Sequence, residues 1–303
     1  MAHYDPDGDL APHARRNAEA LLAACDRVLL VTTATLTAAA RAAVPAGVEL
    51  IERDNEGYDF YSWKVGIASL DLGALDQLIT CNDSYVGPLV PYGRILGAMA
   101  RVPVDFWGIT RTDRRAPHVQ SYFVSYRRWV LHSAAFRRFW TSMVPISDRL
   151  EVIKRYEIGL SGELLAAGFG MGAYFVENEA DRRQARLRHW WWAANAVRNQ
   201  PPDRRLAAAR RMPFEFWNPM AALADRALHG ARLPVVKLDT LRYDPYRLGA
   251  DTLLAECERE YPDAFAGVRE LLERTAPRYA ARGGGAGASD RPSPALVRAT
   301  LGY

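Results

Sequence analysis

The chain has 303 residues, 49% of them apolar and 24% charged, with a net charge of +4. That is enough for one large or two small hydrophobic cores, in the composition of a soluble globular protein. No apolar run approaches the ~20 residues of a helical bilayer span, and +4 is too small to argue for nucleic acid. The opening MAHYDPDGDL has no basic segment followed by an apolar one, so no secretory signal is read there. Three scattered cysteines (Cys25, Cys81, Cys257) lack metal-ligand spacing, and a cytoplasmic protein is expected. Only Lys64, Lys154 and Lys237 are lysines, against 36 arginines, so a lysine here marks a place where a compact ammonium is needed.

In chain order, His3-Tyr4-Asp5 reads as the end of a first strand and residues 11–25 as an amphipathic helix. DRVLLVTT is a β-branched run of buried-strand type; a helix over 35–43 and the strand GVELIER follow. DNEGYDFYSWKVGIASL is a Gly-containing turn that opens a helix. DQLITCNDS is a strand ending in a polar turn, and VPVDFWGIT is a further strand. This alternation predicts an α/β fold with a mostly parallel sheet and helices on both faces. In such sheets ligands bind at the carboxyl ends of strands, where the polar clusters Asp54–Asp59, Asn82–Ser84 and Thr110–Asp113 fall. From 120 onward the pattern is mainly helical, with LPVVKLDTL as one late strand and a glycine-rich run near the end. The expected organisation is a core over 1–175, a helical extension over 176–282 that completes the same domain and its acceptor side, and a flexible tail over 283–303.

Asp83, after an apolar strand, can hold Mg²⁺ or Mn²⁺ against a diphosphate; Asn82-Asp83-Ser84 is otherwise a turn or helix cap. In RDNEGYDFYSWK, Gly57 allows close backbone approach to a ligand, and Asn55 and Asp59 offer hydrogen bonds to a ribose or base. Arg53 and Lys64 offer charge to phosphate; the alternative is a capped helix start with Trp63 in the core. Lys237 ends a β-run within reach of donor phosphates, or is a solvated strand-end lysine. Trp190, Trp191 and Trp192 cannot share one helix face. Beside Arg182, Arg183, Arg186 and Arg188 they are expected either at a membrane surface, as a loose contact with the inner membrane, or in the core. No RNA-binding motif accompanies them, and no nucleic-acid partner is expected.

RDNEGYDFYSWK, CNDSYVGPL, VDFWGIT, HVQSYF, YEIGLSGELLAAGF and LPVVKLDTLR stand in this order, and together they resemble the rhamnan synthesis protein F family. HYDPDGDLAPH and FWNPM add to the likeness, which covers roughly residues 3–245. The resemblance implies glycosyl transfer in polysaccharide or lipopolysaccharide synthesis. It also implies a more distant similarity to family-2 transferases of the Rossmann-type GT-A fold. On that pattern His3, Tyr4, Asn82, Asp83 and Ser84 join the loop residues and Lys237 in binding the donor. Trp107, His118 and Gln120 meet the sugar or acceptor. The first carboxylate of the Asp-x-Asp metal motif is replaced by Cys81, so a divalent ion would be held weakly through Asp83, or transfer would run without one. Glu157 precedes Gly168 by eleven residues, as the acidic general base does in those enzymes, and is otherwise a helix-surface carboxylate. The expected partners are a nucleotide-diphosphate sugar, with L-rhamnose as the first candidate, and a glycan or lipid-linked acceptor. The alternatives are another donor, such as GDP-fucose or a UDP-sugar, or a non-catalytic nucleotide-sugar-binding partner of a polysaccharide assembly.

Overall fold

The computed structural model describes residues 1–212 and 215–283; the expected tail lies, from 284 on, outside the described residues. The first half alternates as the sequence predicts: β1 (Ala2–His3), α1 (Pro12–Leu22), β2 (Val28–Thr32), α2 (Ala38–Ala42), β3 (Val48–Glu52), α3 (Tyr58–Ala68) and β4 (Gln77–Cys81). Then come β5 (Tyr85–Val86), α4 (Tyr92–Ala100), β6 (Phe106–Gly108), β7 (Arg111–Thr112), β8 (His118–Val119) and β9 (Phe123–Arg127). β1, β2 and β3 form a parallel sheet, and β10 (Met171–Ala173), β6, β9 and β4 form a second, mixed sheet. A parallel bridge from Ala2 to Asn82 joins the two, giving the order β3-β2-β1-β4-β9-β6-β10. β9 runs antiparallel to β4 and β6.

The fold is mixed α/β, with both sheet faces covered. Period-two alternation sends neighbouring side chains to opposite faces. Trp107 and Phe123 join Ala14, Ala18, Ile95 and Met99 of α1 and α4 in one cluster. Phe106, Val124 and Tyr126 join Phe60 and Trp63 of α3 in the other. That second cluster is closed by α5 (Arg128–Leu131), α6 (Ala134–Ser142) and α8 (Gly159–Ala166). Two helices on this face begin at side-chain caps: Ser133 accepts from the Phe136 amide, and Asp148 from the Glu151 amide.

Beyond residue 120 the structure corrects the helical reading. β9 is a central strand whose first four residues are buried. Its run FVSYR has no polar alternation, so a strand buried on both faces left no period-two signal. The late strand is short: only Val236–Lys237 (β11) pairs, antiparallel to β5, and Leu238 already begins a helix. The helical expectation holds for α7 (Arg149–Val152) and for α9 (Glu179–Arg198), α10 (Pro202–Arg211) and α11 (Pro219–Ala222). It holds again for α12 (Leu238–Tyr243), α13 (Ala250–Glu260), α14 (Pro262–Phe265) and α15 (Val268–Gly283). The last of these helices pack on Ala11 and Val86, so the extension closes back onto the first half.

Candidate active site

A cleft partly open to solvent lies where strand ends, the segment after β7 and the C-terminal helices meet. Of the residues singled out from the sequence, Asp59, Asn82, Ser84, His118, Gln120, Glu157 and Lys237 line it. They come from segments far apart in the chain. The β5–β11 ladder sets Lys237 opposite Tyr85, and Leu238 donates its amide to the Ser84 carbonyl at 3.0 Å. The late strand therefore delivers an ammonium to the end of β4.

Glu157 is the best-defined acid of the cleft. One carboxylate oxygen accepts both the Ser121 amide (2.8 Å) and the Ser121 hydroxyl (2.9 Å). Two donors on one oxygen fix the group and leave the second oxygen to meet a ligand. Glu157 is not at a helix start, as its motif suggested. The helix begins after Asp148, passes through a π-turn over Ile153–Ile158 and continues as α8. Such a turn inserts an extra residue into the helix, which shifts the register of the side chains that follow; π-turns recur at functional sites. Gly168, at φ +88, stops the helix instead of serving the acid.

On the opposite wall the Asn82 amide donates to Asp59 at 2.7 Å, and its carbonyl oxygen accepts from the Ser84 amide and hydroxyl. Burial pushes the Asp59 carboxyl up, opposed in part by Asn82, Lys237 and Arg149. Gln120 takes the Thr110 hydroxyl at 2.7 Å and donates to Asn218 at 3.2 Å, so it braces the cleft floor. The His118 Nδ1–H donates to the Ala116 carbonyl at 2.8 Å; in the neutral ring this leaves Nε2 as an acceptor.

The cleft also contains Arg114, Arg115, Arg149, Ser121, Asn218 and Asp239, which sequence reasoning did not assign. Ser121 and Asn218 lay inside quoted motifs, HVQSYF and FWNPM, and could have been found there. Arg149 had no local signal. Arg114 is tied to Glu215 at 3.4 Å. Arg149 and Lys237 have no carboxylate within ion-pair distance among the described residues, and Lys237 sits 5.3 Å from the Tyr122 ring centroid.

Asp83 flanks the cleft without lining it. Its carboxylate accepts the Tyr4 amide at 2.9 Å and lies 3.9 Å from His3 Nε2. His3 is buried against the Thr32 hydroxyl, and burial brings its imidazole down to about 4, so it is neutral near pH 7. His13 holds the Asp83 carbonyl at 2.8 Å. Five other expected ligands are not brought to the cleft. The Arg53 fork is consumed by Ser62 and the carbonyls of Asp54, Glu56 and Tyr58, so it folds the loop. Gly57 is a left-handed helix cap where a Cβ would lie 2.6 Å from that of Tyr61. Lys64 bonds the Met143 carbonyl, Asn55 is exposed on the loop, and Trp107 is core, 5.7 Å from Phe123. Cys81 is buried and its thiol is pushed up by burial, so it offers no replacement for the missing carboxylate.

Asp83 is pushed up to about 7, by burial first and the Asp59 carboxylate second, against the Tyr4 bond. An unfolded Asp titrates near ~3.9, so the native state holds this proton more tightly. The resulting stability is complete below the unfolded value and is lost as pH rises through about 7. Asp83→Asn keeps the shape and removes the charge. It should melt above the parent at pH 8 by at least about 1.5 °C, the effect of about 1 kcal/mol at roughly 2.1 cal/mol/K of unfolding entropy per residue. The gap should narrow toward pH 5. Melts at both pH values decide it: a variant that melts lower at pH 8 contradicts the assigned environment.

The sequence pattern of rhamnan synthesis protein F matches residues 28–201. The uncharacterized protein y4gN of Sinorhizobium fredii is 26% identical over 136 residues, covering 43% of this chain and 36% of that protein. The virulence protein VirA of Vibrio anguillarum is 30% identical over 116 residues, 36% of each chain. The chain thus spans about a third of the length of these curated relatives, at 36% of each. A solved CMP:2-keto-3-deoxy-manno-octonic acid synthetase complexed with CTP aligns at 13% identity over 56% of this chain and 86% of that one. Its TM-score of 0.32 is too low to carry an argument. The matched span runs from β2 through α9 and includes Asp59, Asn82, Ser84, His118, Gln120 and Glu157, while Asn218, Lys237 and Asp239 of the cleft lie beyond it. On that match, the chain belongs to the rhamnan synthesis protein F family.

Proposed function

We propose that the cleft transfers a sugar from a nucleotide-diphosphate sugar to a hydroxyl of a glycan or lipid-linked acceptor, with inversion. The observation that carries this reading is the pairing, in one cleft, of an oriented carboxylate, Glu157, with Lys237 and Arg149, cations without an ion-pair partner among the described residues. The acceptor oxygen bonds to the anomeric carbon and its proton passes to Glu157. The bond from that carbon to the diphosphate oxygen breaks, and its electron pair leaves with the nucleoside diphosphate. Lys237 and Arg149 stabilise the charge that develops there. The Asn82–Asp59 pair and His118 are placed to hold sugar hydroxyls. L-Rhamnose on dTDP is the first donor to try, on the strength of the family.

The two cations change what a metal is needed for. Among the described residues no three His, Cys, Asp or Glu side chains cluster as a metal site. Asp83 has one oxygen on Tyr4, so it fits a divalent ion only if diphosphate oxygens complete the shell. A Mg²⁺ or Mn²⁺ bound in that way would add positive charge at the departing diphosphate. A thermal-shift panel of dTDP, GDP and UDP, each with and without Mn²⁺, tests donor binding and metal use together. One base should raise the melting temperature, since about 2.7 kcal/mol is gained at a hundredfold excess over Kd. Mn²⁺ alone should do little. No shift with any nucleotide, or a large one with Mn²⁺ alone, contradicts the proposal.

A second reading, a nucleotide-sugar binder without activity, is favoured by Cys81 standing where a metal carboxylate is expected. It predicts nucleotide binding with no release of nucleoside diphosphate from any sugar nucleotide.

A further inference from the structure

The Arg-rich helix pair carries an apolar face that the described residues leave uncovered. On α9, Leu187, Trp190 and Trp191 are 66%, 56% and 74% exposed. At about 100° per residue they lie with Ala194 within one arc of roughly a third of the helix circumference. Trp192 points the other way, buried and stacked on His189 at 4.9 Å. The helix is held firmly from behind: Asp181 takes Arg226 and Arg232, and Arg188 pairs with Asp225 at 2.8 Å. Among the described residues nothing covers the exposed tryptophans. Only one of the three tryptophans follows the core-packing alternative read from the sequence.

Charge identifies the occupant. Residues 179–211 hold nine arginines and three carboxylates, a net +6 in a chain whose total is +4. The rest of the chain is therefore net negative, and the positive charge is concentrated on these two helices. Arg183 and Arg198 stand at the two ends of the apolar arc and Arg186 on its flank, all exposed. On α10, Leu206 is also exposed, between Arg205 and Arg210. Tryptophan and leucine rimmed by arginine match the boundary of a bilayer, where the indole lies at headgroup depth and guanidinium meets phosphate. No helix among the described residues is long and apolar enough to cross a membrane, so any contact made through them lies in the surface plane.

We propose that α9 docks this protein onto an anionic lipid surface through Leu187, Trp190 and Trp191, with Arg183, Arg186 and Arg198 meeting the headgroups. The proposal is independent of the chemistry in the cleft. Its test is flotation of the whole protein with vesicles of phosphatidylcholine alone or with 30% phosphatidylglycerol. Binding should require the anionic lipid, be strong at 50 mM salt and weaken steeply at 500 mM, where screening shortens to a few ångströms. Trp190→Ala with Trp191→Ala should lower vesicle affinity at least tenfold. Arg183→Gln with Arg186→Gln and Arg198→Gln should lower it by roughly 100-fold at low salt, at about 1 kcal/mol per charge. Both variants alter exposed side chains, and unchanged melting temperatures establish that they fold. No flotation at low salt overturns the proposal. So does full binding by the tryptophan variant, a concentration-dependent dimer that the variant abolishes, or binding to RNA but not to vesicles.

Discussion

Glu157→Gln should lower turnover by roughly 10²–10⁴-fold, the usual contribution of a general base, and leave donor affinity nearly unchanged. The amide is isosteric and can still accept the Ser121 amide and hydroxyl through its oxygen, so the fold and the floor of the cleft survive. What is lost is the proton acceptor at the second oxygen. This makes kcat the parameter that moves, because the base acts only as the new bond forms. Steady-state kinetics of the variant, alongside its nucleotide-induced thermal shift, separates the outcomes. A near wild-type rate removes Glu157 from the chemistry. Loss of nucleotide binding places it on the donor. Three other acids lie in the same part of the chain: of these, Asp105 caps the Gly170 amide and bonds Trp129. Neither Asp113 nor Glu163 lines the cleft.

Lys237→Ala should lower kcat/KM by about 10²–10³-fold, the cost of removing one group that stabilises departing negative charge. Its strand pairing is through the backbone, and the side chain lies against the Tyr122 ring without an ion-pair partner among the described residues, so folding should be little affected. Lys237→Arg should rescue poorly, since a broad planar fork does not replace a compact ammonium in the same space. Arg149→Gln should show the same kind of defect, and the double variant should not exceed either single loss by the full product if both act on one diphosphate. Unchanged kcat/KM in Lys237→Ala, with the melting temperature held, contradicts the assignment of the diphosphate to this wall.

The parts of this fold that were legible in the sequence are those with local signals. The strands at Val28–Thr32, Val48–Glu52 and Gln77–Cys81 are short β-branched runs closed by polar turns, and each polar turn sits at a strand end. β9 was not legible, because burial on both faces removes the alternation that marks a strand. The candidate ligands divide by the same logic. Asp59, Asn82, Ser84, Glu157 and Lys237 occupy the cleft, and each lies within a motif at the end of a strand or on the helix that closes it. Arg53 and Gly57 lie in an equally dense motif, but loop folding and ligand binding select the same residue types. Only geometry separates a guanidinium that bonds its own loop from one that meets phosphate. Arg149 comes from a distant element brought in by packing, which no local pattern records, whereas Asp239 stands two residues after Lys237 in the motif LPVVKLDTLR. The π-turn that carries Glu157 is a change of hydrogen-bond register inside a continuous helix, and apolar spacing does not reveal it.

The most direct test is release of nucleoside diphosphate from sugar nucleotides, beginning with dTDP-L-rhamnose, by the wild-type protein and by Glu157→Gln at equal concentration. With a saccharide acceptor mixture present, the wild type should release nucleoside diphosphate from one donor, and the variant should be slower by roughly 10²-fold or more while still binding that nucleotide. No release by the wild type from any sugar nucleotide, with nucleotide binding intact, would contradict the account and leave a binding protein in its place.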